Sequence, residues 1–437
     1  MKKIHISLAI LALIGLSFAC QEKNHAKGPV KVAVRHENGK YALYRGGEPY
    51  TVKGAGCEFG NPATIAARGG NSMRTWRVDN GKETGQQVLD TAQKYGLTVL
   101  MGIEVGIERH GFDYNNADTV KKQLEMVKSE VMKYKDHHAL LAWGIGNELN
   151  LRYTNKKVWD AVNDIAKMIH EVDPNHPVTT MLAGIGKDEV DYIKVNCKAL
   201  DFLSVQMYGD AINVIQRVKD AGWDGPYMVT EWGATGHWEV PSTAWGIPIE
   251  QTSSEKADVI MERYNKAIHA NPDRCIGNYV FLWEQKQERT PTWYGLVLAS
   301  GEGTEMMDVM QYNWTGQWPA NRAPRLDSIF LDSKTRYQNI HLKARKEAMV
   351  QVYTHDVDKD SLSITSEIIP DQPELFQDGG DKEQQPGPVA TKLKTDNSTG
   401  KITFTVPEKS GPYRIFVYVH DGHNHAATAN VPFFADK

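Results

Sequence analysis

Residues 140–148 read LLAWGIGNE, an apolar run that ends in Asn147-Glu148. Residues 227–233 read YMVTEWG, a second apolar run that leads into Glu231. Short apolar runs separated by amphipathic stretches are typical of buried parallel strands in βα units. The two stretches therefore predict an α/β protein that carries a carboxylate at the ends of two of its strands.

The same pattern recurs along the first two thirds of the chain. Amphipathic helices are predicted between most of the runs, most clearly at Val120–Tyr134, Val158–His170 and Glu255–Ala270. Eight strands that alternate with helices over roughly 230 residues fit the size and order of a (β/α)8 TIM barrel. A doubly wound open sheet is the alternative, but no Gly-rich phosphate loop follows the first strand. The predicted strands are Thr51–Gly56, Ser72–Trp76, Thr98–Ile103, Leu140–Gly144, Val178–Leu182, Phe202–Gln206, Tyr227–Thr230 and Gly277–Leu282.

Different patterns flank this central region. Before it, two short strands surround Asn38-Gly39, which is a strong hairpin signal. After it, short alternating strands bounded by turn residues predict an immunoglobulin-like β-sandwich. We therefore expect a signal peptide at 1–20, a catalytic barrel with an N-terminal hairpin at 21–325, and the sandwich at 326–437. The role of the sandwich stays open between spacer, support for the barrel and glycan contact.

The first twenty residues resemble a bacterial lipoprotein signal peptide. Lys2 and Lys3 precede a short apolar run, and Ala19 stands directly before Cys20. The resemblance implies that Cys20 is acylated and becomes the mature N-terminus. The residue after Cys20 is Gln21 and not an Asp, as in lipoproteins that are sent to the outer membrane. The resemblance therefore implies a lipoprotein of the outer membrane, on the cell surface or the periplasmic face. An ordinary signal peptide with an incidental cysteine is the alternative.

The composition argues against several classes of function. The chain has 50 Lys and Arg against 54 Asp and Glu, a formal net charge of −4, so it has no basic excess for a nucleic acid backbone. The other cysteines are odd in number, widely spaced and free of CxxC motifs, which argues against a disulfide framework and a zinc site. The 11 tryptophans need either a core or a ligand to pack against. The other cysteines are Cys57, Cys197 and Cys275.

Carboxylates and aromatic side chains collect at the predicted strand ends. In a TIM barrel the reacting groups come from the C-terminal ends of the strands. Glycoside cleavage requires one carboxylic acid to protonate the leaving oxygen and one carboxylate to attack or stabilise the anomeric carbon. Aromatic rings stack on the apolar faces of sugars. The residues at these ends are Glu58, Trp76, Glu104, Glu148, Tyr208, Glu231 and Trp283.

Asn147-Glu148 after the fourth strand and Glu231 after the seventh resemble the retaining glycoside hydrolases of clan A. The resemblance implies that Glu148 is the acid/base, that Asn147 contacts the sugar 2-hydroxyl and that Glu231 is the nucleophile. It also implies that Arg74 supports the nucleophile and that Tyr208 donates a hydrogen bond to it. Structural ion pairing is the alternative for both glutamates.

Several aromatic and acidic residues are candidates for substrate contact. The resemblance to clan A implies that Trp283 forms the floor of the sugar subsite at the cleavage point. Trp76, Glu58 and Trp232 are candidates for either substrate contact or packing. Further candidates on loops or at the rim are Glu104, Glu108, His110, Trp293 and Tyr294.

A signal peptide, a compact barrel and a single C-terminal sandwich resemble glycoside hydrolase family 158, whose members are endo-β-1,3-glucanases that act on laminarin-type glucans. The resemblance implies double displacement without cofactor or metal. It also implies a β-glucan as the partner of what we expect to be a monomer. A β-1,4-mannanase, a β-1,4-glucanase or a transglycosylase is the alternative within the class. A non-catalytic glycan-binding surface lipoprotein is the alternative outside it.

One acidic stretch requires a separate prediction. Asp356, Asp358 and Asp360 alternate as in a calcium loop, but Ser361 stands where such a loop has its Gly, and no Glu follows at the twelfth position. We therefore predict a turn between two strands rather than a metal site.

Overall fold

The computed structural model of the protein describes residues 28–371, 383 and 386–437. The predicted signal peptide and Cys20 lie outside these residues. In the described part of the chain, no helix is long and apolar enough to cross a membrane. The strands belong to a small antiparallel hairpin sheet, a closed barrel and two four-stranded sheets.

The hairpin sheet covers the N-terminal end of the barrel. Asn38 and Gly39 have φ angles of 53° and 79°, as a tight turn of this type requires. The backbone N–H of Val32 donates to the carbonyl of Asn175, 2.7 Å away, just before a barrel strand. Leu43 is buried against the lower barrel core. The strands are β1 (Val32–Glu37), β2 (Lys40–Arg45) and β3 (Glu48–Pro49).

Eight described parallel strands close into a barrel in chain order, and the last pairs with the first. This confirms the predicted TIM barrel. The strands are apolar because helices cover their outer faces and side chains fill the interior, so that every residue of Thr98–Ile103 is buried. The strands are β4 (Gly54–Gly56), β5 (Ser72–Arg74), β6 (Thr98–Ile103), β7 (Leu140–Asn147), β8 (Val178–Ala183), β9 (Leu203–Gln206), β10 (Tyr227–Gly233) and β11 (Cys275–Phe281).

Helices follow the strands along the outside of the barrel. Thr84 with Gln87, and Thr252 with Glu255, form capping boxes that begin two of them. The last turns of the predicted helix 255–270 differ from expectation, because the chain continues as a π-helix over Tyr264–Ile268. The helices are α1 (Pro62–Ala67), α2 (Gly85–Lys94), α3 (Ala117–Tyr134), α4 (Lys157–Val172), α5 (Lys187–Asn196), α6 (Val214–Asp220), α7 (Ser253–Arg263) and α8 (Glu305–Thr315), with 3-10 turns at Glu108–His110 and Gly209–Asn213.

The C-terminal region forms a β-sandwich, as predicted. One sheet has the order β12-β14-β17-β16 and the other β13-β19-β18-β15. In chain order this is the ABED and A′GFC arrangement of immunoglobulin-like domains. The inner faces share one apolar core that includes Val350, Phe404, Ile415 and Phe433. The strands are β12 (Arg325–Leu331), β13 (Ile340–Lys343), β14 (Glu347–His355), β15 (Ser363–Pro370), β16 (Leu393–Asp396), β17 (Lys401–Thr405), β18 (Gly411–His420) and β19 (Ala426–Asp436).

The acidic stretch between β14 and β15 is a turn. One carboxylate oxygen of Asp356 accepts hydrogen bonds from the backbone N–H groups of Asp358 and Asp360, at 2.8 and 3.1 Å. The side chain therefore takes the place of a backbone acceptor, as Asp commonly does in turns.

The sandwich and the barrel meet through buried charged groups. Lys256 donates to Glu250 at 2.5 Å, and Asn430 of the sandwich donates to the same carboxylate at 2.6 Å. Elsewhere in the interface, Arg325 donates to Glu305 at 2.7 Å. Buried ion pairs require precise partners, because a lone buried charge is costly. The interface is therefore specific in its geometry.

Two of the barrel cysteines are deeply buried. Cys57 is 1% exposed and Cys197 is 4% exposed. Burial raises the pKa of the Cys57 thiol far above its ordinary range and that of Cys197 to about 12. Both thiols are therefore kept protonated and shielded from reagents in solution.

Candidate active site

The C-terminal rim of the barrel surrounds a cavity of about 1080 Å³. Glu148 follows β7 directly, and Glu231 is the third residue from the end of β10. Both side chains line this cavity, together with Asn147, Tyr208 and Trp76. The rim of the barrel therefore brings together the two proposed catalytic glutamates from strands that β8 and β9 separate.

The carboxylate of Glu231 is held by four donors. Oε1 accepts from Arg74 Nη1 at 2.7 Å, from Trp76 Nε1 at 2.8 Å and from Gln206 Nε2 at 2.9 Å. Oε2 accepts from the Tyr208 hydroxyl at 2.7 Å. Arg74 is fully buried, so its charge acts at low dielectric. This set of donors stabilises an ionised carboxylate in a fixed orientation, as a nucleophile requires.

Asn147 belongs to the same hydrogen-bond network. Its Oδ1 accepts from Arg74 Nη2 at 2.6 Å and from Gln206 Nε2 at 2.7 Å. Because the amide oxygen is used in this way, the NH2 group is what Asn147 can offer to an acceptor in the cavity. Gln206 was not among the predicted site residues, although it ends β9 and touches both Glu231 and Asn147.

Glu148 lies in a different environment. Its backbone is left-handed, with φ of 51°, and follows a register shift between β7 and β8. Such irregularities re-aim side chains at the rims of barrels. Its carbonyl oxygen accepts from Arg109 Nη1 at 2.7 Å.

Burial, and then the negative charge of Glu231, raise the pKa of Glu148 to about 8, against smaller lowering effects of Arg109 and Arg74. The two carboxyl groups thus lie in different environments. Glu231 is surrounded by hydrogen-bond donors, whereas Glu148 stays protonated at neutral pH. This is the division between nucleophile and general acid.

A further group of acids forms the wall near β4 and β5. Glu58 lines the cavity and pairs with Arg77 at 2.8 Å, and burial raises the pKa of Glu58. Glu104 lies 3.7 Å from the same Arg77. Glu284 accepts from the backbone N–H groups of Glu58, at 3.1 Å, and Phe59. Glu58 and Glu104 are therefore placed for substrate contact, while Glu284 fixes the loop that carries Glu58.

The structure corrects the expectation for two tryptophans. Trp232 follows Glu231 on β10, and since side chains alternate along a strand it points out of the barrel, where Nε1 donates to Asn278 at 3.2 Å. Trp283 is completely buried, with Nε1 donating to Thr64 at 2.9 Å and its ring stacked on Trp314. Neither side chain lines the cavity, so both are packing residues and not sugar platforms.

The aromatic wall of the cavity comes from other positions. Phe281 lines the cavity and packs edge-on against Trp76, Tyr208 and Tyr294, with ring centres 5.6–5.7 Å apart. Phe281 is the last residue of β11, whereas Trp283 lies beyond the end of the strand, where side chains no longer alternate regularly. Trp238, 60% exposed, and Phe59, 50% exposed, also line the cavity and were not predicted.

The loop candidates divide in the same way. His110 lines the cavity. Glu108 instead accepts from the backbone N–H groups of Thr154 and Asn155. Trp293 and Tyr294 are each 1% exposed and lie behind the wall rather than in it, for which reason we assign them to packing.

Comparison with known proteins agrees with this geometry. Residues 66–239 match the family model of the glycosyl hydrolases family 2 TIM barrel domain. A segment of 122 residues is 27% identical to mannan endo-1,4-beta-mannosidase F of Aspergillus clavatus, over 24% of this chain and 28% of that protein. These findings support a glycoside hydrolase.

Solved structures show the same fold. Bacteroides uniformis beta-glucuronidase 2, covalently bound to cyclophellitol-6-carboxylate aziridine, superposes with a TM-score of 0.52 at 14% identity, over 93% of this chain and 48% of that one. A putative beta-galactosidase from Bacteroides fragilis superposes with a TM-score of 0.50 at 13% identity, over 93% and 58%. The chain therefore spans about half the length of these structural relatives. This similarity concerns the fold of the glycoside hydrolase barrel. It does not support the predicted assignment to family 158.

Proposed function

We propose that the protein is a retaining glycoside hydrolase that cleaves internal bonds of a neutral β-glucan, with Glu231 as nucleophile and Glu148 as general acid/base. The observation that carries the proposal is the contrast between the two carboxyl groups in one cavity. Four donors hold Glu231, whereas burial and a like charge favour the protonated form of Glu148.

The chemistry follows from these two environments. The Glu231 carboxylate attacks the anomeric carbon, the bond from that carbon to the leaving oxygen breaks, and the carboxylic acid of Glu148 gives its proton to that oxygen. The Glu148 carboxylate then takes a proton from water, whose oxygen attacks the anomeric carbon and releases Glu231. Asn147 can donate its amide N–H to the sugar 2-hydroxyl during both steps. The expected separation of the two carboxyl groups is about 5–5.5 Å.

The charge of the cavity favours a neutral sugar. Among the described residues, nine carboxyl groups line it against five Lys and Arg side chains. Three of those cations already face carboxylates at ion-pair distance, which disfavours a uronic acid that needs a cationic partner. The pairs are Arg77 with Glu58, Arg217 with Asp210 and Lys286 with Glu288. This supports a neutral glycan rather than the uronic acid substrate that the name of the B. uniformis structure implies for that enzyme.

The size of the cavity and the sequence resemblance support an endo-acting enzyme. A volume of about 1080 Å³ lies at the upper end of ordinary ligand pockets, so more than one sugar ring fits. The β-1,3 linkage is proposed from the resemblance to family 158. A β-1,4-mannanase is the second candidate, because the curated relative of the barrel is a mannan endo-1,4-beta-mannosidase.

The deciding experiment is product analysis on a panel of polysaccharides. Purified protein is incubated with laminarin, lichenan, cellulose and β-mannan, and the released oligosaccharides are separated by chromatography. The proposal expects oligosaccharides from laminarin, lost in Glu231→Gln and kept in Glu171→Gln on the exposed surface of α4. Oligosaccharides from mannan alone would favour the second candidate. Binding without products would favour a glycan-binding lipoprotein.

We also propose that Cys20 carries a lipid anchor that attaches the protein to the outer membrane. The support is the lipoprotein-like order of basic, apolar and small residues before Cys20. Metabolic labelling with an alkyne fatty acid tests it, because label and membrane association are both expected to disappear in Cys20→Ser. Labelling that survives this substitution would contradict the proposal.

A further inference from the structure

The loop that follows β11, residues 284–292 and called the rim loop here, crosses from the cavity to the sandwich. Its first five residues, Glu284 to Glu288, all line the cavity. It then turns sharply, since the Thr290 N–H donates to the Glu288 carbonyl at 2.7 Å. Arg289, at the corner, has a left-handed backbone with φ of 63°. A residue other than glycine holds this conformation only where its surroundings enforce it.

The enforcing contacts come from the sandwich. Arg289 Nη2 lies 2.6 Å from Asp371 Oδ1, and the other oxygen of that carboxylate accepts from Arg414 Nε at 2.8 Å. Arg414 in turn donates to Asn430 at 2.6 Å. The backbone N–H of Arg289 donates to the carboxylate of Glu383, which also lines the cavity. The two ion pairs that join Arg289, Asp371 and Arg414 are called the clamp here. The clamp runs from the core of the sandwich to the corner of the rim loop.

A second set of bonds fixes the descending side of the loop. Glu250 accepts from the Thr290 hydroxyl at 2.7 Å and from the Thr292 hydroxyl at 2.8 Å. Asn430 of the sandwich donates to the same carboxylate at 2.6 Å. Asn430 thus links the clamp to Glu250, and the loop is held at its corner and just beyond it.

Glu288 directly precedes Arg289, the residue that the clamp holds. This carboxylate is 7% exposed, lines the cavity and pairs with Lys286 at 2.8 Å. It lines the same cavity as Glu148, Glu231 and Tyr208. It does not belong to the donor set around Glu231, and the double-displacement chemistry assigns it no proton transfer. A carboxylate at such a place is an acceptor for sugar hydroxyls.

We propose that Glu288 binds a sugar hydroxyl of the glycan and determines substrate affinity, and that the sandwich holds it in place through the Arg289–Asp371–Arg414 clamp. The inference rests on the proposed glycosidase function. It makes Glu288 a specificity residue and Arg289 a positioning residue. It also assigns the sandwich a part in substrate binding.

The first test is steady-state kinetics of Glu288→Gln on the glycan that the wild type cleaves. We expect KM to rise about tenfold with kcat changed less than threefold, as loss of a charged hydrogen bond to bound substrate predicts. An unchanged KM would overturn the inference. A wild-type protein that cleaves no polysaccharide would instead overturn the proposed function, so the two failures are distinguishable.

The second test addresses the clamp. Arg289→Met is expected to raise KM in the same direction, Arg289→Lys to restore part of the loss, and the double variant with Glu288→Gln to be no worse than Glu288→Gln alone. If the two substitutions had additive effects on KM in the double variant, Arg289 would not act through Glu288. Arg325→Met is the matched control, because it breaks a barrel–sandwich ion pair whose residues belong neither to the clamp nor to the cavity lining. Arg325→Met should lower the Tm and leave KM unchanged. If KM rose as much in Arg325→Met as in Arg289→Met, the effect of the clamp would be one of general stability and not of substrate binding.

Discussion

The indole N–H of Trp76 lies 2.8 Å from Oε1 of Glu231, the oxygen that Arg74 and Gln206 also reach. Three donors on one oxygen leave little room for that oxygen to act as the attacking atom. Among the described residues, the Tyr208 hydroxyl is the one donor to Oε2, which is therefore better placed to attack in the proposed mechanism. This relationship assigns different tasks to the two oxygens of one carboxylate.

Removing the indole donor should weaken catalysis without unfolding the protein. In Trp76→Phe the carboxylate of Glu231 loses one charged hydrogen bond, which corresponds to about a tenfold or larger decrease in kcat/KM. Steady-state kinetics on the cleaved glycan measures it. Trp314→Phe is the control, since Trp314 is buried outside the cavity, and an equal loss there would indicate a general effect on packing.

An external nucleophile should restore the activity that is lost when the proposed general acid is replaced. Glu148→Gln is expected to lower kcat on a natural glycan by about 10²–10⁴-fold, because no group then protonates the leaving oxygen. On an aryl glycoside with a good leaving group, azide should restore turnover and yield a β-glycosyl azide, detected by mass spectrometry. Formation of the α-azide would contradict a retaining mechanism.

The basic limb of the pH profile should report Glu148. Its pKa is raised to about 8, and the reaction needs the protonated form, so kcat/KM is expected to fall as the pH rises through this value. In Glu231→Gln the neighbouring negative charge is gone, and the pKa of Glu148 should be lower than in the wild type. Carboxyl ¹³C NMR titration of both proteins tests the direction of this change. A pKa that stays the same or rises in the variant would argue against coupling of the two groups.

The two aromatic residues near the end of β11 should behave differently. Trp283→Ala removes a buried ring and should destabilise the protein by about 3–5 kcal/mol, which chemical denaturation measures. Phe281→Ala should raise KM, because its ring forms part of the cavity wall. A large change in KM for the milder Trp283→Phe would restore Trp283 as a substrate platform.

Much of this architecture was predictable because it depends on local pattern. Alternation of apolar strands with amphipathic helices predicted the barrel, and short strands with turn residues predicted the sandwich. The shared cavity of Glu148 and Glu231 was predictable because both occupy strand ends, where topology alone brings side chains together.

The errors arise where one or two positions near a strand end decide which way a side chain points. Trp283 was expected in the cavity and Trp232 was a candidate for it, but Trp232 points outwards by alternation along β10 and Trp283 is buried beyond the end of β11. Phe281 takes the place in the wall. The clamp was not predictable, because Arg289 and Arg414 are 125 positions apart in the numbering and nothing local indicates that one carboxylate joins them.

The buried cysteines provide a built-in reporter of local opening. Every cysteine in the sequence precedes residue 276, so none lies in the sandwich. Because Cys57 and Cys197 are shielded and protonated in the native state, alkylation should occur only when the barrel opens. The rate at which Cys57 and Cys197 are modified therefore measures opening of the barrel, without a contribution from the sandwich. A loss of sandwich structure without barrel opening would leave the alkylation of these two thiols unchanged and appear in circular dichroism.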